Sequence, residues 1–530
     1  MKKYSIKYLM FALLFSATSC EKYLDINDNP NDPTVVQPEL VLPAGLVRTA
    51  SLAVAYNTYG ASLGGYIANA GGFSGFGALL NYNFTPGFLS NWGGSYDNLL
   101  DYKYVIDNSE GVDELAYFNA VAKIMTVYGY QLLVDAHGDI PYTAALQSDA
   151  NTTPAYDNAP AIYQDLVNKL DEAIGIIDNA QFPRALGFSA DPMFGEDREP
   201  EEQMNLWKQF ANTVKLRLLI RVSEVPALQD FVNSEFASFD EELGILTEDA
   251  IVNPGYELNK PNPTWSSWGY TTTGNVATSS RVPTYYVYGY YDGNKLTDPG
   301  RGSVIYNDFG DGSRPTPLNQ LGVEQNNPPI RANYSPWYTG VRESASNISN
   351  ALGIVKGPSQ GQPILLLSEA YFLLAEAQLR GLLSGDAEES FEAGIAASFG
   401  YLYTTVSGTV DAGKDVDEDV ETYLTDNSGS TLVNFSGNTE QKTEAIITQK
   451  YIALNMIHSH EGWNDYRRTG YPRTNPDADR YNNMASVNSN STRLDELPTI
   501  LLYPQTEFAY NPTNVRVLNQ FSDLIFWAKQ

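Results

Sequence analysis

Apolar residues recur in steps of three and four along much of this chain, and the stretch where that rhythm fails carries as much information as the stretches where it holds. From about Val112 to His137, the residues Leu115, Phe118, Ala122, Met125, Gly129 and Leu132 keep one face apolar, the spacing of an amphipathic helix. Gly138 then supplies a left-handed C-cap and Pro141 blocks continuation. The same stripe runs through Ile162 to Ile177 and through Trp207, Ala211, Val214, Leu218 and Val222, and helical periodicity first sets in near Pro38. Ile364 to Leu383 is apolar nearly all round, which predicts a helix buried between neighbours. Gly381 and Gly385 punctuate it, a second helix follows with Ala387, Phe391 and Ile395, and a last helical pair spans about Glu444 to Arg468. Helical hairpins of this size, with small residues where the helices cross, predict a mostly α fold on a tetratricopeptide-like scaffold of helical pairs. The full repeat consensus is absent.

Between about Gly244 and Gln360 no helical period is sustained. This stretch is rich in Gly, Pro, Asn, Trp and Tyr, and alternations such as Thr284-Tyr285-Tyr286-Val287-Tyr288 suit short strands at best. An irregular segment of this length in a compact protein is usually functional. It reads as an insert on a single helical domain of residues 40–530, forming the ligand-facing surface.

The amino end has a different pattern. Lys2, Lys3 and Lys7 precede the apolar run Leu9 to Phe15, too short to span a bilayer. Small residues lead from there to Cys20, the single cysteine of the 530 residues. Residues 1–19 therefore read as a lipoprotein signal peptide, Cys20 as the lipidated N-terminus, and 20–39, polar and proline-punctuated, as the tether. A multiply acylated cysteine anchors firmly, because each buried methylene contributes about 0.8 kcal/mol. One cysteine excludes intrachain disulfides. A formal charge of −30 argues against nucleic acid as a partner. Tyrosine outnumbers phenylalanine 36 to 22, a surplus of rings with one polar end that suits surfaces touching polar ligands.

No set of residues makes a convincing catalytic site. His458-Ser-His460-Glu461 hints at a metal, but residues two apart on a helix diverge and no third ligand is evident. Gly357-Pro358-Ser359-Gln360-Gly361 matches the nucleophile-elbow pattern formally, yet prolines flank it where a strand should feed a helix. Glu369 and Glu376 lie two turns apart on one helix, with Arg217 and Arg221 as plausible partners. Asp25 to Asn29 imitates the start of a calcium loop without its glycine or closing glutamate, and the acidic run Asp415 to Asp419 reads as a solvated loop. No cofactor or metal is expected.

The aromatic set of the insert is more suggestive. Trp265, Trp268, Tyr270, Tyr285, Tyr286, Tyr288, Trp337 and Tyr338 fall where no amphipathic helix explains their burial. Rings of this kind stack on apolar sugar faces or hold peptide side chains while Asn and Asp bond hydroxyls. All of these except Tyr286 are taken as candidate ligand contacts. Phe73 and Phe76 are added from a second Gly- and Asn-rich stretch, whereas Trp92, at helical spacing from Tyr96 and Leu100, suits a core.

Short segments spread along the chain then combine into a resemblance. Cys20-Glu-Lys-Tyr-Leu-Asp-Ile-Asn-Asp-Asn-Pro-Asn-Asp-Pro-Thr34, Gly138-Asp-Ile-Pro-Tyr142, Trp207-Lys-Gln-Phe-Ala-Asn, Leu216-Arg-Leu-Leu-Ile-Arg221, Ala375-Glu-Ala377, Gln449-Lys450, Trp463-Asn-Asp-Tyr-Arg-Arg-Thr-Gly-Tyr-Pro472 and Tyr503-Pro504 with Glu507 and Asn511 occur in this order. Together they resemble the SusD/RagB family, in its divergent SusD-like group. The resemblance implies four tetratricopeptide-like helix pairs and a cell-surface lipoprotein of the outer membrane. It further implies capture of an oligosaccharide or peptide, without catalysis, for a SusC-type TonB-dependent transporter. The matching motifs are architectural and transfer no ligand contact. A surface-anchored glycoside hydrolase, needing two carboxylates in one pocket, and a helical-repeat adaptor that binds only proteins are the competing readings.

Overall fold

The computed structural model describes residues 36–70, 77–195, 198–278, 280–311, 316–323, 335–340, 342–344, 347–348 and 351–529. Cys20, the signal and tether expectations up to residue 35, the calcium-like run and the pair Phe73 and Phe76 lie outside them. The scaffold helices are α1 (Pro38–Leu63), α2 (Trp92–Asp107), α3 (Ala116–His137), α4 (Ala159–Asn179), α5 (Pro200–Val222), α6 (Leu367–Leu379), α7 (Ala387–Tyr403), α8 (Val416–Asp426), α9 (Thr439–Ala453) and α10 (Ser459–Thr469).

Local chemistry fixes the helix ends. Proline occupies the first turn of α1, α4 and α5, where its missing N–H costs nothing. A reciprocal Asn438–Gln441 capping box starts α9, and Gly470 closes α10 in the left-handed conformation. Gly138 ends α3 at φ +80, but its ψ of −123 lies outside the left-handed helical region that its position suggests. Asp415 caps α8, its carboxylate accepting the Glu418 N–H, so the acidic run is a helix start that meets the positive end of the dipole rather than a loop. Residues Gln362–Leu365 are strand, which shortens the expected helix to α6.

Neighbouring helices pair as the tetratricopeptide-like reading requires: α6 with α7, α2 with α3, α3 with α4, and α9 with α10. Gly394 lets α7 approach α6 so closely that a Cβ there would lie 2.7 Å from the Phe372 ring, and Gly129 of α3 meets Leu99 of α2 at 3.0 Å in the same sense. The first helix is closed against the last third of the chain. The Asn57 amide donates to the Met456 carbonyl and its oxygen accepts the Ser459 N–H, at 2.8 and 2.9 Å. A Cβ on Gly60 would sit 2.1 Å from the His460 nitrogen. α1 is long and apolar enough by composition to cross a membrane, yet Leu42, Leu46 and Ala50 are fully buried in the protein.

Where α3, α5, α6, α9 and α10 meet, the interior is ionic. Asp135, Glu369, Glu376, Glu461 and Asp465 face Arg217, Arg221, Lys450, Arg467 and Arg468, all nearly inaccessible to solvent. Arg217 meets Glu369 at 3.0 Å, as its sequence position suggests. Glu376 pairs with Arg468 at 2.6 Å instead of Arg221, which contacts Asp135 and Glu461. Strand content is confined to four antiparallel two-stranded ladders among the described residues. Two of them set the insert in place. β4 (Ala250–Val252) pairs with β8 (Gln362–Leu365) and clamps the two ends of the insert together. β1 (Ile67–Asn69), which follows α1, pairs with β5 (Arg281–Pro283) inside the insert.

Candidate ligand-facing surface

Three irregular stretches converge on one face: the loop after α1, the insert, and residues 471–490 after α10. β1 and β5 join the first two through the register Ile67↔Pro283, and the Thr284 hydroxyl donates to the Gly65 carbonyl. The Asn319 amide donates to the carbonyls of Asn69 and Val323. Gln320 reaches the carbonyls of Asn483 and Ala485 at 3.0 and 3.2 Å, and Val487 N–H donates to Leu321. The Tyr82 hydroxyl accepts the Ser486 N–H at 3.0 Å. Only glycine serves at 322, where φ is +92 and a Cβ would lie 2.3 Å from the Ser486 hydroxyl. Hydrogen bonding thus makes a single platform of three stretches that hold only short strands and helical turns among their described residues.

The rings expected to face the ligand divide into two groups. Trp265, Trp268, Tyr270 and Trp337 are buried, exposed by 2% or less. Trp268 packs edge-on against Trp337 at 5.0 Å, with the Arg281 guanidinium over its ring at 5.5 Å. The expectation that these four present stacking faces is corrected: they are the insert's own core. The physical reason is that a segment poor in aliphatic residues has only its large rings to bury. Tyr288, at 8% exposure, joins Tyr306 and Phe309 in the same interior role. Nor is Tyr285–Tyr288 a strand; it is a helical turn capped by Thr284, whose hydroxyl oxygen accepts the Val287 N–H. Trp92 is core, edge-on to His137 and Tyr503.

Tyr285 and Tyr338 remain partly exposed. Tyr285 meets the ring of Tyr481 edge-on at 5.6 Å, and the Arg480 guanidinium lies 3.7 Å over the Tyr285 ring. Beneath them the Lys295 ammonium sits 3.4 Å from the Tyr286 ring centroid and 3.9 Å from that of Tyr290. Burial holds its pKa well below the usual lysine range. Arg480 and Tyr481 escaped the sequence reading because they lie in a polar loop with no period; the signal available was a guanidinium beside a ring in an Asn-rich run. Two rings crossed at right angles with a charge-assisted donor between them offer a planar contact and a hydrogen bond at one point.

Residues considered for catalysis or metal binding are engaged elsewhere. Gln360 in the elbow-like run accepts the N–H groups of Lys356 and Gly357, which fixes a loop leading into β8 instead of a nucleophile turn. His458 and His460 are buried, and His458 Nε2 donates to the Pro363 carbonyl at 3.1 Å. Desolvation pushes His460 down to about 3, so it is neutral. Among the described residues no group of three or more metal-ligating side chains assembles.

Helical pairs behind a hydrogen-bonded platform of loops define an α-helical scaffold protein whose exposed face is irregular chain. Residues 38–523 match the family model of SusD-like proteins, the SusD and RagB outer membrane lipoproteins, and the chain belongs to that family. Among solved structures it superposes on a SusD homolog from Bacteroides fragilis with a TM-score of 0.68 at 22% identity, covering 93% of this chain and 99% of that one. A chitin-binding SusD homolog from Flavobacterium johnsoniae gives a TM-score of 0.66 at 21% identity over 92% and 98% of the two chains. A SusD homolog from Bacteroides uniformis gives 0.67 at 22%, over 92% and 99%. No curated protein matches it.

Proposed function

We propose that the protein is a lipid-anchored, non-catalytic nutrient binder of the outer cell surface, which captures an oligosaccharide on the loop platform and passes it to a SusC-type TonB-dependent transporter. The observation that carries the reading is the partly exposed Tyr285–Tyr481 pair with Arg480 above it, an accessible ring contact among the described residues of the platform. A sugar stacks its apolar face on such rings while the guanidinium donates to its hydroxyls. Cys20, acylated after removal of residues 1–19, holds the platform at the membrane, and tethering raises its effective concentration at the transporter mouth. Two structural relatives are described as chitin-binding, so chitin oligosaccharides are the first ligands to try, with other glycans and peptides beside them.

Titration calorimetry of residues 21–530 against such a panel tests the reading. A hit is expected, and the double variant Tyr285→Ala/Tyr481→Ala should weaken it roughly tenfold or more while leaving the circular dichroism unchanged. Cleavage of any polymer by the purified protein, or full affinity in the double variant, overturns it.

A further inference from the structure

A cleft of about 580 Å³ lies at the two ends of the insert, and its lining includes neither the Tyr285, Arg480 and Tyr481 contact nor any residue whose hydrogen bonds join the three loops. Its volume lies in the range of small-molecule sites, about 300–1,000 Å³. Four separate stretches build it: 188–194 with Arg198 before α5, the turn around β4, the loop before β8, and the turn after α7.

Each wall is held from behind. The buried Asp191 carboxylate accepts the N–H groups of Met193 and Phe194 at 3.0 and 3.1 Å and the Trp207 indole N–H at 2.7 Å, locking that wall to α5. Gln360 pins the backbone at Lys356 and Gly357. The Lys356 ammonium, 5% exposed, donates to the Tyr401 carbonyl at 2.6 Å and lies 4.1 Å from that ring's centroid. At the rim Arg198 clasps Glu248 with both terminal nitrogens at 2.8 and 2.9 Å, and Phe188 stays 45% exposed. The Thr405 and Ser407 hydroxyls, 2.8 Å apart, line the opposite turn.

The formal charges of the lining cancel: Arg198 and Lys356 against Glu248 and Asp249. With two bases balanced against two carboxylates the cleft favours neither an anion nor a cation, while a purely apolar guest would leave the remaining hydrogen-bonding capacity of the ammonium, the carboxylates and the hydroxyls unanswered. A neutral guest rich in hydroxyls meets none of these costs, and the open Phe188 ring gives its apolar face a place to lie. We infer that this cleft is a second ligand site, which takes a short neutral oligosaccharide independently of the loop platform. The inference rests on the glycan reading above. Burial supports it by pushing Lys356 down to about 7 and Asp249 up to about 6, so both groups titrate within about a unit of neutral pH and trade hydrogen bonds with hydroxyls at reduced electrostatic cost.

Methyl-¹³C methionine labelling reads the two sites separately. Met193 lines the cleft, and Met484 packs against Gly65 under the platform. The probes are N,N′-diacetylchitobiose, cellobiose and maltose, titrated into residues 21–530. At least one should shift Met193, Phe188→Ala should weaken that response roughly tenfold, and Tyr285→Ala/Tyr481→Ala should leave it unchanged. Silence of Met193 with all three sugars overturns the second site, and Met484 then shows on its own whether the platform still binds. A Met193 response that persists in Phe188→Ala, or that vanishes in the platform variant, overturns it equally.

Discussion

Trp268 and Tyr285 stand seventeen positions apart in the same irregular stretch and have opposite roles. Trp268→Ala empties a fully enclosed site against Trp337 and should cost about 3–5 kcal/mol, read as a fall in the urea midpoint at constant slope. Tyr285→Ala, at a partly exposed ring, should cost about 1 kcal/mol or less in the same assay and appear in binding instead. The sequence showed that rings are concentrated here. It did not show which of them turn inward, because inside–outside assignment depends on a period, and a chain broken by Gly and Pro has none. Arg480 and Tyr481 were out of reach for a related reason: they become neighbours of Tyr285 only through the folding of a loop almost two hundred residues downstream.

Among the helices, periodicity was a good guide. The stripes placed α3 and α4 close to their observed limits and fell inside α5 and α7, and a small residue does mark the α6–α7 crossing. Partner choice was less legible. Glu369 and Glu376 occupy one helix face, but which cation each meets depends on how α5 and α10 cross α6, and no spacing within a single helix encodes that. The motif Trp463 to Arg468 proves structural: the Arg467 guanidinium lies 3.6 Å over the Trp463 ring, while Asp465 and Arg468 enter the ionic interior. Breaking a buried pair leaves a lone charge, so Glu376→Leu should destabilise by about 3–5 kcal/mol. Combining it with Arg468→Met should recover much of that loss, a non-additivity that a double-mutant cycle in urea measures directly.

At the scale of the molecule, stability should depend on acid. Burial pushes His137 down to about 4 and His460 to about 3 from an ordinary 6.5. Both are neutral in the fold, whereas the unfolded chain takes up protons below pH 6.5. Their contribution is therefore complete above pH 6.5 and lost as pH falls toward 4 and 3, on the order of 3 kcal/mol for His137 and about 5 kcal/mol for His460 at the acid end. Glu376, held down to about 2 against burial by Arg468 and Arg380, loses its contribution between pH 4.5 and 2. Asp249, raised by burial to about 6 from 3.8, acts oppositely, relieving the fold as pH falls from 6 to 3.8, and the buried Asp191 and Asp298 pull the same way, while the lowered His458 and Glu461 side with the histidines. Urea midpoints should drop between pH 7 and 4.5, and His137→Gln should flatten that slope.

The seating of α1 on α10 has a consequence for how the protein is made. A polypeptide is synthesised head first, so α1 emerges with its apolar flank bare while the carbonyl of Met456 and the backbone of His460, its eventual seat, are some four hundred residues from being added. Nothing nearer in the chain supplies the contacts that Asn57 and Gly60 make there. α2 covers one flank of α1 early, through Thr49–Tyr102 and Tyr56–Ser95, but the flank that carries Asn57 and Gly60 must wait for the closing third, and whatever handles this chain in transit has to shelter that strip for nearly the whole of its production.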